Sequence, residues 1–271
     1  MGRSTACHSS QDHMHIIELS YPGTWIDHSD QQWSWEVLKQ IRNFETPLAE
    51  AALALTWFEE QLIVSGATHY EDQQTEWQRV QEIRDKYVSE SGLDPFTVSG
   101  QEQIRLHTEI EVKRERWGRG LLPENYRDQI VFVHAKTFLY SLDRIDKLLQ
   151  VLKTTLGDHF DISGIRATFS ASVPNLQGVR NSVAHHEDRS RGLGPNCQPI
   201  ELKPVSNSLI HAPEGALILE CLDGTKFGST MTDGHYGEVD VSPATLTASG
   251  TAIQSVINVF KWKGPFIHWP Q

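Results

Sequence analysis

The sequence predicts a mainly α fold, a helical bundle with a small antiparallel β insertion before its last helix. Apolar residues recur every three or four positions through most of the chain, the period of amphipathic helices. Only residues 195–241 change character, to short β-type runs between glycine and proline turns. The 271 residues fit one large domain, and we expect a single domain over 1–271.

The N-terminal part is predicted to be an irregular arm followed by helices. Residues 1–28 are polar and aperiodic, whereas 29–120 have the helical period. Three helical stretches are predicted within 29–120: from a capping box at Ser29 with a kink or restart at Pro47, from about Tyr70 to Glu90, and from a capping box at Ser99 to near Gly118.

The core helices are predicted over 121–190 and 243–263. The stretch 124–156 has the clearest apolar stripe, formed by Ile130, Val133, Phe138, Leu142, Ile145, Leu149 and Leu152. A shorter helix from Pro174 to about Asp188 is predicted to direct Leu176, Val179 and Val183 inward and its polar side chains outward. Ser242-Pro243 starts the last helix. Strands are expected only within about 198–241, as hairpins whose turns are Asp223-Gly224 and Asp233-Gly234.

Composition and motifs narrow the function. Charged residues interrupt every apolar stretch, so no membrane span is expected. The first twenty residues have one basic side chain and no apolar segment of signal-peptide length, and the three cysteines are scattered, which predicts a reduced, cytoplasmic protein. Phosphate-loop, dinucleotide-binding, serine-hydrolase and zinc-protease motifs are absent, so no cofactor and no metal site is predicted.

The charge balance limits contact with nucleic acids to local patches. With 24 Lys and Arg against 35 Asp and Glu, the net charge of −11 argues against a surface that coats nucleic acid non-specifically, and DNA is not an expected partner. The side chains that we consider for RNA contact are Arg114, Arg116, Trp117, Arg119 and Arg189. For the run around Arg114 the alternative is an ordinary solvated helix face.

The candidate site is Arg180-Asn181-Ser182-Val183-Ala184-His185. On a continuous helix Asn181 and His185 lie one turn apart, so the amide can hydrogen-bond the imidazole and select its tautomer. Arg180 lies about 140° around the helix from His185, at the border of the same groove. Ser182 and Ala184 are small and allow a second helix to approach, which predicts a homodimer with a composite site. Histidine for proton transfer and arginine for phosphate charge suit RNA cleavage by the 2′-hydroxyl without metal.

The string from Val179 to His185 resembles the motif of the HEPN superfamily, an arginine, a polar residue that is often asparagine, a few variable positions and a histidine. A β-hairpin insertion before the last helix also occurs in its abortive-infection members. The resemblance implies a HEPN-like bundle and a homodimeric, metal-independent endoribonuclease of toxin or phage-defence type, with an antitoxin as a further partner. It implies that Arg180 and His185 are catalytic and that Asn181 orients. The alternative is a non-catalytic dimeric module that binds nucleotide, RNA or a partner protein.

Overall fold

The computed structural model describes residues 14–66 and 73–271, which are mainly helical with small antiparallel sheets. The helices are α1 (Gln31–Arg42), α2 (Glu45–Gly66), α3 (Gln73–Ser91), α4 (Val98–Gly118), α5 (Glu124–Leu156), α6 (Ile162–Ser172), α7 (Leu176–Ala184), α8 (His186–Arg189) and α9 (Pro243–Asn258). The strands are β1 (Leu19–Tyr21), β2 (Trp25–Ile26), β3 (Val205–Ser206), β4 (His211–Ala212), β5 (Cys221–Asp223), β6 (Lys226–Thr230), β7 (Tyr236–Asp240), β8 (Trp262–Lys263) and β9 (Ile267–Trp269).

The chain divides into two compact units. One contains the residues up to Glu59 together with Phe132–Gln271, and the other contains Glu60–Val131. The sequence predicts a single domain over 1–271, with 29–120 as its N-terminal helices. In the structure, α1 and most of α2 belong to the first unit, and α3 and α4 belong to the second. Among the residues that the structure describes, no helix has the length and apolar character needed to cross a bilayer.

The first unit has its core on the apolar face of α5. Phe138, Leu142 and Leu149 are fully buried, and Ile253 of α9 is equally inaccessible. Continuous helix over Glu124–Leu156 confirms the prediction from the apolar stripe. Helix α6, which packs on α9, was not anticipated as a separate element.

The two ends of the chain pair with each other, which corrects the expectation that strands are confined to 198–241. Strand β1 pairs antiparallel with β9, and β2 pairs with β8. The side-chain amide of Gln254 accepts from the Ser20 N–H at 2.8 Å and donates to the Ser20 carbonyl at 2.9 Å. The arm predicted over 1–28 is therefore ordered β structure from Leu19, while residues 1–13 lie outside the described residues.

The predicted hairpins form a three-stranded antiparallel sheet, β5-β6-β7. Phe227 and Val239 are opposite each other in the register and are buried, which turns that face toward the helical core. Gly224 and Gly234 take positive φ in the loops that follow β5 and β6, as their Asp-Gly positions predict.

Helix boundaries mostly fall within a few residues of the predicted ones. The side chains of Asp30 and Thr97, rather than those of Ser29 and Ser99, cap α1 and α4. Helix α2 restarts at Glu45, two residues before Pro47, and Ser242 caps α9 as predicted. Helix α9 ends at Asn258, because the residues beyond it are used in β8 and β9. The predicted helix start near Tyr70 lies outside the described residues.

The second unit contains α3 and α4, which pack against each other. Ile83 and Ile104 are buried, and Tyr87 stacks face to face on His107 with ring centroids 3.6 Å apart. At the surface, Arg79 donates two hydrogen bonds to the Glu115 carboxylate. A narrow apolar seam with charged flanks is typical of a helical hairpin.

Candidate functional site

Helix α7 carries the candidate motif and lies against the β insertion. Its inner face buries Leu176, Val179 and Val183, as the sequence predicts. The Ser182 hydroxyl lies at 2.8 Å from the Thr230 carbonyl of β6, to which it donates. This hydrogen bond and the apolar contacts fix the orientation of α7 and place the side chains of the motif.

The contact of Ser182 with β6 shows that this small residue is not available to a second subunit. Ser182 is buried within its own chain, so its small side chain accommodates β6 rather than a second copy of α7. Ala184 and His185, at the end of the helix, are exposed. A homodimer remains a prediction, and its contact surface would have to use this exposed end.

His185 ends α7, whereas the sequence predicts a helix that continues to about Asp188. Its backbone leaves the helical region at φ −117° and ψ 44°, although its N–H still donates to the Asn181 carbonyl at 3.1 Å. A separate short helix, α8, follows. The imidazole is 58% exposed, and its Nδ1 lies 3.9 Å from a carboxylate oxygen of Glu187.

The structure does not join Asn181 to His185 through their side chains. Among the described residues no hydrogen bond connects the Asn181 amide with the imidazole, because the non-helical ψ of His185 breaks the one-turn relation on which that prediction depended. The imidazole is instead exposed at the end of the helix, beside Glu187.

Arg180 forms a largely buried ion pair with Asp143 of α5. Its Nη2 lies 2.9 Å from Asp143 Oδ1, and the two side chains are 15% and 7% exposed. The other carboxylate oxygen of Asp143 lies 2.7 Å from the ammonium of Lys147. Within the described part of the chain the buried Nε of Arg180 has no hydrogen-bond partner. The expected outward-facing arginine is therefore anchored inward by a carboxylate.

Sequence reasoning missed Asp143, although its position carries a signal. Asp143 follows Leu139 by four residues and Leu142 by one, so it lies on the buried side of α5. A charged residue in such a place requires a partner of opposite charge. Arg180, on a neighbouring core helix, provides it.

A second polar group adjoins this ion pair. Lys136 of α5 lies 2.6 Å from the Glu220 carboxylate, and Nδ1 of His186 lies 3.8 Å from the other oxygen of the same carboxylate. We call these three residues the Glu220 bridge. Tyr140 lies between the two groups: burial raises the pKa of its phenol, the charge of Arg180 lowers it, and the charges of Glu220 and Asp143 raise it.

The residues considered for RNA contact fall in different places. Arg189 is only 3% exposed and donates from Nη1 to the Leu193 carbonyl, so little of its side chain is open to a ligand. Arg114, Arg116, Trp117 and Arg119 all belong to the second unit. Arg114 and Arg116 form ion pairs with glutamates, and α4 holds four glutamates beside its four Arg and Lys side chains. Such pairing is typical of a solvated helix face.

A cleft of about 470 Å³ opens at the opposite end of α7 from His185. It is lined by the residues before α7, by the segment around β3 and by the outer face of β6 and β7, including Lys226, Tyr236 and Glu238. None of the predicted site residues lines it. Within 14–66 and 73–271, no group of three His, Cys, Asp or Glu side chains is placed to hold a metal ion.

The site thus combines an exposed imidazole at a helix end with a guanidinium fixed by a buried carboxylate on the same helix. An imidazole can transfer a proton, and a guanidinium can stabilise negative charge on a phosphate. Comparison of the chain with family models, with functionally described proteins and with solved structures finds no match that would place it in a family.

Proposed function

We propose that this protein is a metal-independent endoribonuclease of the toxin or phage-defence type, acting on cellular or phage RNA in the cytoplasm. The observation that carries the proposal is the pairing, on one short helix, of the anchored Arg180 with the exposed His185 at its end. Anchoring by Asp143 restricts the guanidinium to few positions, and preorganised charge is what stabilises a transition state.

The proposed chemistry is an internal attack by the RNA. Neutral His185 accepts the proton of a 2′-hydroxyl, and the 2′-oxygen then forms a bond to the adjacent phosphorus. The bond from phosphorus to the 5′-oxygen breaks, and that oxygen takes a proton from the imidazolium of a second subunit or from water. Arg180 stabilises the negative charge on the equatorial oxygens. The products are a 2′,3′-cyclic phosphate and a 5′-hydroxyl end.

A homodimer is part of this proposal because the neighbouring imidazole of the same chain, His186, faces the Glu220 carboxylate, which leaves His185 for proton transfer. With His185 exposed at the end of α7, a two-fold axis nearby would bring two imidazoles to one phosphate. Sedimentation at micromolar concentration should show a dimer, and a monomer there contradicts the composite site. An antitoxin that covers this end of α7 would silence the enzyme.

The experiment is RNA cleavage by the purified protein in EDTA. His185→Ala should lose about 10²- to 10⁴-fold of the rate, and Arg180→Ala about 10²-fold. The control His235→Ala removes an equally exposed imidazole from the β insertion and should cleave at the wild-type rate. DNA of the same sequence should resist. Cleavage of DNA, or a strict requirement for Mg²⁺, contradicts the proposed chemistry.

The burial of Arg180 favours one second function, a non-catalytic helical module that binds nucleotide, RNA or a partner protein. A guanidinium with 15% exposure whose Nη2 already contacts Asp143 can serve to join α5 and α7. In that case the purified dimer leaves RNA intact in every buffer, and Arg180→Ala loses stability without any activity to lose.

A further inference from the structure

The Glu220 bridge places one carboxylate between two basic groups from different helices. Lys136 Nζ lies 2.6 Å from Oε2, and His186 Nδ1 lies 3.8 Å from Oε1. The side chain of Lys136 is 28% exposed, so the bridge lies at the surface rather than in the core. Lys136 is within hydrogen-bond distance of the carboxylate, whereas the His186 imidazole faces its other oxygen from slightly farther away, so two basic side chains flank one negative charge.

Glu220 reaches this position from a strained backbone. It precedes β5 and has φ +51°, in the left-handed region that non-glycine residues rarely occupy. Residues held there persist when the surrounding contacts require them. The side chain that this backbone presents contacts Lys136 and His186.

The bridge adjoins the Arg180 and His185 site. His186 directly follows His185 in the chain. Lys136 precedes Asp143 by seven residues on α5, which returns it to nearly the same side of the helix about 10 Å away along the axis. Tyr140, which lies between them on α5, is influenced by the charges of both Arg180 and Glu220.

We propose that Lys136 and His186 form a phosphate-binding subsite for RNA, which the Glu220 carboxylate occupies when no RNA is bound. A carboxylate and a phosphodiester both present two oxygens that share one negative charge, so the same two basic side chains can bind either group. The incoming RNA phosphate displaces the Glu220 carboxylate. Because Glu220 belongs to the β insertion, the insertion lowers the affinity for RNA by the free energy of this displacement. This subsite rests on the proposed function, because it positions a nucleotide next to the one that is cleaved.

The test measures binding alone, with a labelled single-stranded RNA whose 2′-positions are O-methylated and which cannot be cleaved by internal attack. Anisotropy titrations at several salt concentrations give the affinity and its salt dependence. Lys136→Gln should weaken binding and reduce the slope of log affinity against log salt by about 0.7, the loss of one phosphate contact. Lys153→Gln, which removes the same charge from α5 outside the bridge, is the matched control.

Glu220→Gln should have the opposite effect and tighten binding about two- to fivefold, the strength of a partly exposed ion pair. Glu214→Gln removes an equal charge from the same insertion and controls for net charge. Lys136→Arg retains the cation and should bind as the wild type does, which separates a lost contact from a damaged fold.

The results distinguish the subsite from the ribonuclease proposal. If the RNA is not cleaved but both binding effects appear, the subsite stands and the proposed chemistry is wrong. If RNA is cleaved while Lys136→Gln matches Lys153→Gln in affinity and slope, the subsite is wrong. Absence of RNA binding by the wild type, or Glu220→Gln binding no tighter than Glu214→Gln, also overturns it.

Discussion

Replacement of Arg180 by alanine should destabilise the fold, while the same change at His185 should not. Arg180→Ala leaves the Asp143 carboxylate, which is 7% exposed, without its buried partner. Removing one member of a fully buried pair costs about 3–5 kcal/mol. Here Lys147 still lies 2.7 Å from the carboxylate, and its ammonium is on a side chain that is 57% exposed. We therefore expect a smaller loss, about 2 kcal/mol.

For His185→Ala the expected change is within about 0.5 kcal/mol, because the imidazole is 58% exposed and its contact with the exposed Glu187 carboxylate is long, at 3.9 Å. Urea unfolding followed by circular dichroism measures both variants against the wild type, with the slope m as the test that the unfolded state is unchanged. In thermal unfolding, about 2 kcal/mol corresponds to a midpoint lowered by about 4–8 °C for a chain of this size.

A double-mutant cycle assigns the loss to the ion pair. Arg180→Ala and Asp143→Ala together should cost less than the sum of the two single changes, with a coupling of about 1–3 kcal/mol. Strict additivity, or an Arg180→Ala protein as stable as the wild type, refutes the anchoring of Arg180. A stable Arg180→Ala protein would instead match the simpler expectation from sequence, in which the motif is a solvent-facing polar surface.

Two further predictions concern stability. Gly228→Ala should lower the free energy of unfolding in urea by about 1–3 kcal/mol, because a Cβ at this position would lie 2.2 Å from the Tyr236 hydroxyl. The control Gly118→Ala, whose Cβ would meet no atom within 4 Å, should be neutral or stabilising. Equal effects of the two substitutions would contradict the close packing at Gly228. Burial, the charge of Glu45 and the hydrogen bond to Glu45 raise the pKa of the Tyr21 phenol. The neutral phenol therefore contributes to the free energy of unfolding in full below its ordinary pKa of about 10, and this contribution is lost as the pH rises further. Urea midpoints should therefore fall less steeply above about pH 10 in Tyr21→Phe than in the wild type, and identical pH profiles refute the assignment.

Local patterns predicted the elements whose formation depends on neighbouring residues. Helix α5 follows from an apolar stripe that repeats over about six turns, and the hairpins follow from two Asp-Gly turns. The cap of α9 at Ser242 was equally visible, because hydroxyl, proline and helical period occur together there.

Contacts between distant residues were not predictable in this way. Strand β1 has three residues, too few for a recognisable alternation. It pairs with β9 about 250 positions later, as the register of Leu19 with Trp269 shows. The position of Arg180 depends on Asp143 in another helix. The helix ends at His185 without a proline or glycine that would predict the break from sequence. The motif could be found from sequence, but which of its side chains are buried could not.

The measurement that tests the central claim most directly is the chemistry of the RNA ends. A 5′-labelled single-stranded RNA is incubated with the purified protein in EDTA, beside His185→Ala and the control His235→Ala. We predict that the wild type and the control release 5′-hydroxyl fragments and leave 2′,3′-cyclic phosphates, and that His185→Ala forms neither above background. Intact RNA with all three proteins, or cyclic phosphates formed equally by His185→Ala, would contradict the claim that this helix end is a catalytic site.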